Sequence, residues 1–417
     1  MIKMLVIADD FTGALDTGVQ FTRRNLYTKI TTNIDFDYTN INDDLDILVI
    51  DAQTRHLSHK EAYNVVKSIS KKAIAKGVEY IYKKTDSALR GNIGSELKGL
   101  LDSSSENSVY FIPALPKHNR FTKKGVHYID YIPVAESVFG NDPFEPVKYS
   151  EVNKIISLQT DINITEVYNI NESTTFEEGI VIFDASSDDD LNNIANKLYN
   201  DVHGKLFAGC AGFASVLPDL LGIRKKENKK IVFDNGLLVA CGSVNPITTK
   251  QIINGKKNNF KYFSMNKDQK LDKNWISNNK SQYTTTLKDF SKDKYIIIDA
   301  NNIKETHLIN PNTFAKENNA SLDEVRNNIS VFIGHLVKDF IDRNNHKNIM
   351  IIGGDTLFAF IKNMGIELLE PLEEIYDGVV LSVFEYKNVK YNLISKSGGF
   401  GDENLIPNLV KIIENNI

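Results

Sequence analysis

Two cysteines in 417 residues, Cys210 and Cys241, are too few for a disulfide framework. Both sit in apolar surroundings, the setting of a buried thiol. No apolar run is long enough to span a bilayer. The first eight residues read directly as a buried strand, without the layout of a signal peptide. A cytoplasmic protein without a membrane partner is therefore expected. The net charge is -5, and Lys and Arg are scattered, so no basic face is offered to a nucleic acid.

Several catalytic signatures are also missing. There is no GxxxxGK followed by Ser or Thr, which excludes a Walker-A site. No GxGxxG follows the first strand, which counts against a dinucleotide dehydrogenase. The eight histidines show no HxH or HExxH spacing, so no zinc site is expected. No GxSxG elbow supports a serine hydrolase. No solenoid-type repeat is visible.

What is present is ordinary for a soluble globular protein: 41% apolar and 25% charged residues. The length favours two domains. Apolar runs at 4–8, 46–50, 79–82, 109–112 and 179–183 each lead into a short polar loop, mostly followed by a helix. Ser58 and Glu61 have capping-box spacing, and Gly77 ends that helix. Asp188 to Asp190 mark another helix start. The lysine-rich run 223–230 reads as a linker or a solvated helix end. Beyond it the pattern restarts at 231–240. Residues 255–292 are Asn/Lys-rich and weakly patterned, with a strand near Tyr262. Strands at 295–298, 349–352 and 391–394, a long helix over 321–344 and a closing helix complete the chain.

This alternation predicts an α/β fold of two domains, residues 1–225 and 231–417. Each is a mostly parallel sheet with helices on both faces. Every distinctive loop leaves the carboxyl end of a strand, where ligands bind in such sheets. An active site in the inter-domain cleft is expected.

Three C-terminal loops suit phosphate. In GSVNP, Asn245 and Pro246 start a helix and place Ser243 beside its free amides. In IIGGDT, Gly353 and Gly354 allow close backbone approach, and Asp355 or Thr356 caps the next helix. In SKSGGFG, Gly398, Gly399 and Gly401 allow a backbone nest for an anion, with Lys396 and Ser397 adding charge and a hydroxyl. Together they read as a nucleotide site.

The N-terminal loops carry acids and arginines. The first offers Asp9, Asp10, Thr12, Gly13 and Asp16. Asp10 or Thr12 caps the helix, which leaves the other group to explain. Adjacent buried acids need partners, and here they could hold magnesium, accept a hydroxyl proton or bind sugar hydroxyls. The second loop supplies Thr54 and Arg55, and the third Lys84, Asp86, Ser87, Arg90 and Gly91. Arginine matches a carboxylate with its planar fork. Arg55 also suits a surface salt bridge. His118, Asn119 and Arg120 read as a solvated loop, with phosphate contact as the alternative.

At these residues the chain resembles the four-carbon acid sugar kinase family. The matching segments are IADDFTGALDTGVQF, DAQTRHLS, KKTDSALRGNIGSEL, FIPALPKHNRFTKKG, FGNDPF, GSVNP, IIGGDT and SKSGGFG. They occur in family order and span nearly the whole chain. The resemblance implies a sugar-acid-binding N-terminal domain and an ATP-binding C-terminal domain. It implies phosphorylation of the terminal hydroxyl of D-threonate, D-erythronate or a 3-oxo-tetronate. DTGVQF looks more like the threonate and erythronate kinases. By position, ATP contacts fall on Ser243, on Gly353, Gly354, Asp355 and Thr356, and on the Gly398–Gly401 loop. Family members often carry Glu where this chain has Asp355. Sugar-acid contacts fall on Asp10, Arg55, Asp86, Ser87 and Arg90.

The expected mechanism follows. Arg55 or Arg90 clamps the carboxylate of the acceptor, and Asp10 first, Asp86 second, takes the hydroxyl proton. Mg2+ on the phosphates, Lys396 and the glycine-loop amides neutralise charge. No metal site is expected in the chain itself, since ATP carries the magnesium. A homodimer is compatible with the sequence. Two rival readings are a non-catalytic nucleotide and sugar-acid sensor, and a nicotinamide-dependent sugar-acid dehydrogenase. The extra acids of the first loop speak against the first, and the absent glycine pattern against the second.

Overall fold

The structure, a computed structural model, describes residues 2–38, 44–142, 145–171, 175–219, 231–290, 292–301, 311–344 and 346–415. The expected linker at 223–230 lies outside the described residues, as do the last two of FGNDPF. The chain divides into two compact units, Met1–Asn228 and Lys229–Ile417.

In the first unit the strands are β1 (Met4–Ala8), β2 (Thr28–Thr31), β3 (Ile47–Asp51), β4 (Tyr80–Lys84), β5 (Ser108–Ile112), β6 (Arg120–Lys123), β7 (Val126–Ile129), β8 (Ile132–Pro133), β9 (Ile164–Val167), β10 (Gly179–Phe183) and β11 (Leu206–Gly209). Eight of them form a parallel sheet in the order β2-β3-β1-β4-β11-β5-β10-β9. Every residue of β1, β3 and β10 is buried, as continuous apolar runs in a doubly covered sheet require. A small antiparallel sheet, β6-β7-β8, forms from the segment after β5.

The chain lays β3 on one side of β1 and β4 on the other. This reversal makes the carboxyl end of β1 a topological switch point, where a crevice opens. Three loops meet there, after β1, β3 and β4. The helix after β1, Phe11–Thr22, is N-capped by Asp10, whose Oδ1 accepts from Gly13 N at 2.8 Å, and not by Thr12. The helix after β3, His59–Ala75, starts on the expected Ser58/Glu61 capping box.

The second unit contains β12 (Leu237–Cys241), β13 (Lys261–Ser264), β14 (Tyr295–Asp299), β15 (Asn348–Ile352), β16 (Leu369–Tyr376), β17 (Val379–Tyr386) and β18 (Val389–Lys396). Strands β13-β14-β12-β15-β18 run parallel, and β17 and β16 continue the sheet antiparallel. Here β12 is the switch strand, with β14 on one side and β15 on the other.

Two expectations need correction. The strand expected from 231 begins only at Leu237. The weakly patterned stretch 255–292 holds the expected strand at Tyr262, but also helices Lys267–Leu271, Trp275–Asn278 and Lys280–Phe290. Asn266 and Gln269 form a capping box for the first. Tyr283, Leu287 and Phe290 are the buried residues of the last, at helical spacing that the polar composition hid.

Helix Ile93–Leu101 packs against helix His59–Ala75 through Gly99, where an added Cβ would lie 2.5 Å from Tyr63 O. Gly99→Ala should therefore lower unfolding stability by about 1–3 kcal/mol, read by urea denaturation. A neutral result would show that the two helices are not held at this spacing.

Candidate functional site

The first site is built at the end of β1. Asp9 leaves the strand almost fully buried, and burial alone would favour its neutral form. Arg55, from the loop after β3, answers that cost. Its Nε donates to Asp9 Oδ2 at 2.7 Å, its Nη1 reaches Asp10 Oδ2 at 2.7 Å, and its Nη2 lies 3.7 Å from Asp86 Oδ1. Arg90 grips Asp86 with two nitrogens, at 2.8 and 3.1 Å, and Asp142 with the third at 3.1 Å. Burial works against the Asp9 charge, but Arg55, Lys83 and Lys84 outweigh it and hold the carboxyl below its usual range. For Asp86, burial is likewise overcome, first by Arg55 and then by Arg90, and its carboxyl is held far down.

Asp10 differs in access. Its side chain is 28% exposed, against 3% for Asp9 and 9% for Asp86. Of these acids it is the one a ligand can best reach.

Asp9, Asp10, Arg55, Asp86 and Arg90 thus meet in one ion network, as five of the residues expected from the sequence. Arg55 and Arg90, expected to clamp an incoming carboxylate, face the protein's own acids with every guanidinium nitrogen. Ser87 sits beside the network and accepts a hydrogen bond from Arg120 Nη1. Thr12 and Asp16 lie four residues apart on the half-buried face of helix Phe11–Thr22, outside the set gathered by Arg55.

Lys83, Glu96 and Asn92, which support the network, escaped the sequence reading. Lys83 is fully buried and pairs with buried Glu96 at 3.1 Å, while its Nζ also donates to Lys84 O at 2.6 Å. Thr54 Oγ1 donates to the same Glu96. This ties the loop of Arg55 to the loop of Asp86. Asn92 Nδ2 lies within 2.8–3.2 Å of the carbonyls of Thr54, Arg55 and Leu57, which fixes the Arg55 backbone. The signal was a polar residue in a buried helix turn, which nothing else in GNIGSEL required. Lys84 Nζ donates to Thr85 O at 2.8 Å and closes over Gly13 beside Asp10 Oδ1. Asp9 Oδ1 and Thr85 Oγ1 are buried without a hydrogen-bond partner among the described residues.

Asp51, the last residue of β3, is a further buried acid. Gln53 donates to it from both backbone and side chain. Burial, with the charges of Asp10 and Asp9, still pushes its carboxyl up to about 8.

The second site stands at the ends of β12, β15 and β18. Asn245 caps helix Pro246–Lys257 through Ile247 N at 3.0 Å, with Pro246 in the first turn, as expected. Helix Gly354–Met364 departs from expectation. Neither Asp355 nor Thr356 caps it; Gly353 does, at φ 110°, with no side-chain bond to the first turn. A non-glycine residue would be strained there. Asp355 turns outward to Arg326 at 2.6 Å, and Thr356 is buried. With glycine at the cap, no capping side chain covers the first-turn amides of this helix, the arrangement that receives an anion.

The glycine loop closes on Ser243. A Cβ on Gly398 would lie 2.6 Å from Ser243 Oγ, and one on Gly399 would lie 3.6 Å from Asn245 Nδ2. Gly401 takes φ 74°. Lys396 holds the loop from beneath: its Nζ donates to Thr248 Oγ1, Ser397 O and Gly398 O at 2.9–3.1 Å. Burial lowers its ammonium to about 8. Asp299, missed in the sequence, ends β14 and accepts from Asn301 N at 3.0 Å, while Asn301 Nδ2 reaches Ser243 O at 3.0 Å. Burial pushes its carboxyl up to about 6. Among the described residues, no three His, Cys, Asp or Glu side chains are grouped to hold a metal ion.

A family model described as "Sugar-binding N-terminal domain" matches residues 4–217, and one described as "Nucleotide-binding C-terminal domain" matches 238–406. The D-threonate kinase of Salmonella typhimurium is 24% identical, covering 99% of each chain. The 3-oxo-tetronate kinase of Pseudomonas savastanoi pv. phaseolicola is 23% identical, covering 97% of this chain and 96% of its own. The crystal structure of Haemophilus influenzae protein HI1011 has the same fold, with a TM-score of 0.73 at 19% identity over 98% of this chain and all of that one. The chain belongs to the four-carbon acid sugar kinase family. It is a phosphotransferase, which sets aside the sensor and dehydrogenase readings.

The Asp51 carboxyl gives a pH signature. Its folded value lies above that of the unfolded chain, so the native state binds the extra proton. Stability should fall as pH rises from about 4 to about 8. Asp51→Asn should flatten that fall and be more stable than the parent at pH 8. Parallel urea-unfolding profiles for the two proteins would contradict this.

Proposed function

We propose that the protein transfers the γ-phosphoryl group of ATP to the terminal hydroxyl of a four-carbon sugar acid. D-threonate and D-erythronate are favoured, and a 3-oxo-tetronate comes next. One observation supports this most: the two switch points are chemically opposite. The first is lined with carboxylates and cations that suit a polyhydroxy acid. The second presents glycine backbone and an uncapped helix start that suit phosphate.

In this reading the acceptor hydroxyl lies against Asp10. Asp10 takes the proton as the oxygen–phosphorus bond forms and the bond to ADP breaks. Asp86, held ionised by Arg55 and Arg90, is the weaker base and orients hydroxyls. Asp9 fixes Arg55. Arg55 and Arg90 keep the acids in place and balance their charge. Ser87, Thr12 and Asp16 complete the sugar-acid surface.

On the donor side, Ser243, Gly353, Gly354, Thr356 and the Gly398, Gly399 and Gly401 backbone receive the nucleotide, with Asp355 at the rim. Lys396 shapes the loop and contributes charge through it. Mg2+ travels with ATP and supplies charge neutralisation on its phosphates. The buried thiols Cys210 and Cys241 suit a cytoplasmic location.

Asp10→Asn keeps the shape of the side chain and removes the base. In a coupled ADP assay with MgATP and D-threonate, kcat should fall by about 10²–10⁴-fold. A kcat near that of the parent would assign the proton to another group. A panel of four- and five-carbon acids in the same assay tests the substrate class.

A further inference from the structure

Charge pairing leaves one arginine of the first site unaccounted for. Arg55 faces Asp9, Asp10 and Asp86, and Arg90 faces Asp86 and Asp142. Arg120 has no carboxylate within ion-pair distance among the described residues. One of its nitrogens donates to Ser87 Oγ, and its guanidinium lies 5.4 Å from the ring centre of Phe139. Arg90 lies 5.1 Å from the same ring centre. Arg120 is partly exposed, and only one of its nitrogens is engaged by a side chain among the described residues.

The backbone here is fixed. Arg120 opens β6, is paired to Ile129, and exchanges hydrogen bonds with Leu115 at 2.7 and 3.2 Å. His127 is fully buried, and its Nε2 donates to Ser87 O at 3.0 Å while its Nδ1 accepts from Thr122 at 3.1 Å. Burial drives the His127 ring down to about 4, so it adds no charge near neutral pH. Ser87 and Arg120 therefore form a held pair, with one cation among polar neighbours.

The network also has a direction. Asp10, with Lys84 beside it, stands at one end, and Arg55 links it to Asp86. Arg90, Ser87 and Arg120 follow from Asp86. A sugar acid has its carboxylate at one end and its terminal hydroxyl at the other. With the hydroxyl at Asp10, the carboxylate falls toward Arg120. Lys84 is the other cation without a carboxylate partner among the described residues, but it is buried against Asp10, at the reacting end. Among the described residues of this site, Arg120 alone offers a planar fork not filled by a carboxylate.

We propose that Arg120, steadied by Ser87 and Phe139, receives the carboxylate of the acceptor and so selects an acid over a neutral polyol. This rests on the sugar-acid kinase reading and extends it to a specificity residue.

The test uses the full-length protein as wild type, Arg120→Gln and Arg120→Lys. The wild type is first given MgATP with D-threonate, D-erythronate and the 3-oxo acid, and binding of each acid is measured by calorimetry without ATP. Steady-state constants are then taken for the best acid and for its uncharged amide. Arg120→Gln should raise KM and Kd for the acid roughly ten- to hundredfold, the range for hydrogen bonds to a charged group. The preference for acid over amide should shrink by a similar factor, and KM for MgATP should not move. Arg120→Lys should recover part of the loss, since it keeps charge without the fork. It also serves if the Gln variant does not fold. Equal losses for acid and amide, or an unchanged acid preference in either folded variant, would overturn the proposal and leave Arg120 as a support for Ser87. A wild type that binds and phosphorylates none of these acids would overturn the kinase assignment to this substrate class and this proposal with it. Turnover of an acid with an unaltered preference in the variants would overturn this proposal alone.

Discussion

Asp9, Asp10 and Asp86 arrive on two loops, and all turn toward Arg55 from a third. Without that guanidinium, the buried Asp9 and Asp86 would take up protons. With it, Asp9 and Asp86 stay ionised, and Asp9 and Asp10 are each aimed by a 2.7 Å contact to the guanidinium. The surrounding residues serve the same end. Asn92 fixes the carbonyls around Arg55, and the Lys83–Glu96 pair ties that loop to the one bearing Asp86. Asp51 is bonded by Gln53 rather than by a cation, and burial together with the charges of Asp10 and Asp9 raises its carboxyl.

The second unit solves a different electrostatic problem by other means. The triphosphate proposed for it brings its own negative charge, so a surface that received it would need donors rather than acids. The chain supplies backbone: an uncapped helix start at Gly353 and a glycine loop lying against Ser243. The unit's one buried ammonium among the described residues, Lys396, bonds to two loop carbonyls and to the Thr248 hydroxyl of helix Pro246–Lys257, so its charge acts through the geometry it maintains. Both sites use the same feature of a doubly wound sheet, the point where strand order reverses. Their opposite chemistry follows from the side chains placed there.

Much of this was legible in the sequence because strand-to-loop transitions expose it. An apolar run ending in DD, in DAQTR or in KKTDS announces polar groups at a strand's carboxyl end, and those groups form the network. The glycine loops were legible for the same reason. What was not legible depends on partners far along the chain. Nothing near Arg55 says that Asp9, Asp10 and Asp86 will fill its fork, and nothing near Arg90 points to Asp142. Nothing near Asp355 says that Arg326 will draw it outward and leave Gly353 as the cap. The antiparallel hairpin of β16 and β17 had a local signal, the Asp377-Gly378 turn, with Gly378 at φ 68°. The repeating strand–helix pattern elsewhere obscured it. The helix Lys280–Phe290 was hidden by its Asn, Lys and Thr content, because three buried residues are enough to dock it.

The claim that Arg55 holds the acid site together is tested most directly by a double-mutant cycle. Urea unfolding is measured for the parent, Arg55→Met, Asp9→Asn and the double variant. The account predicts that Arg55→Met alone costs about 3–5 kcal/mol, since it strands buried charge. It also predicts a cost smaller by at least about 1 kcal/mol once Asp9 is neutral. Costs that add to within about 0.5 kcal/mol would contradict it.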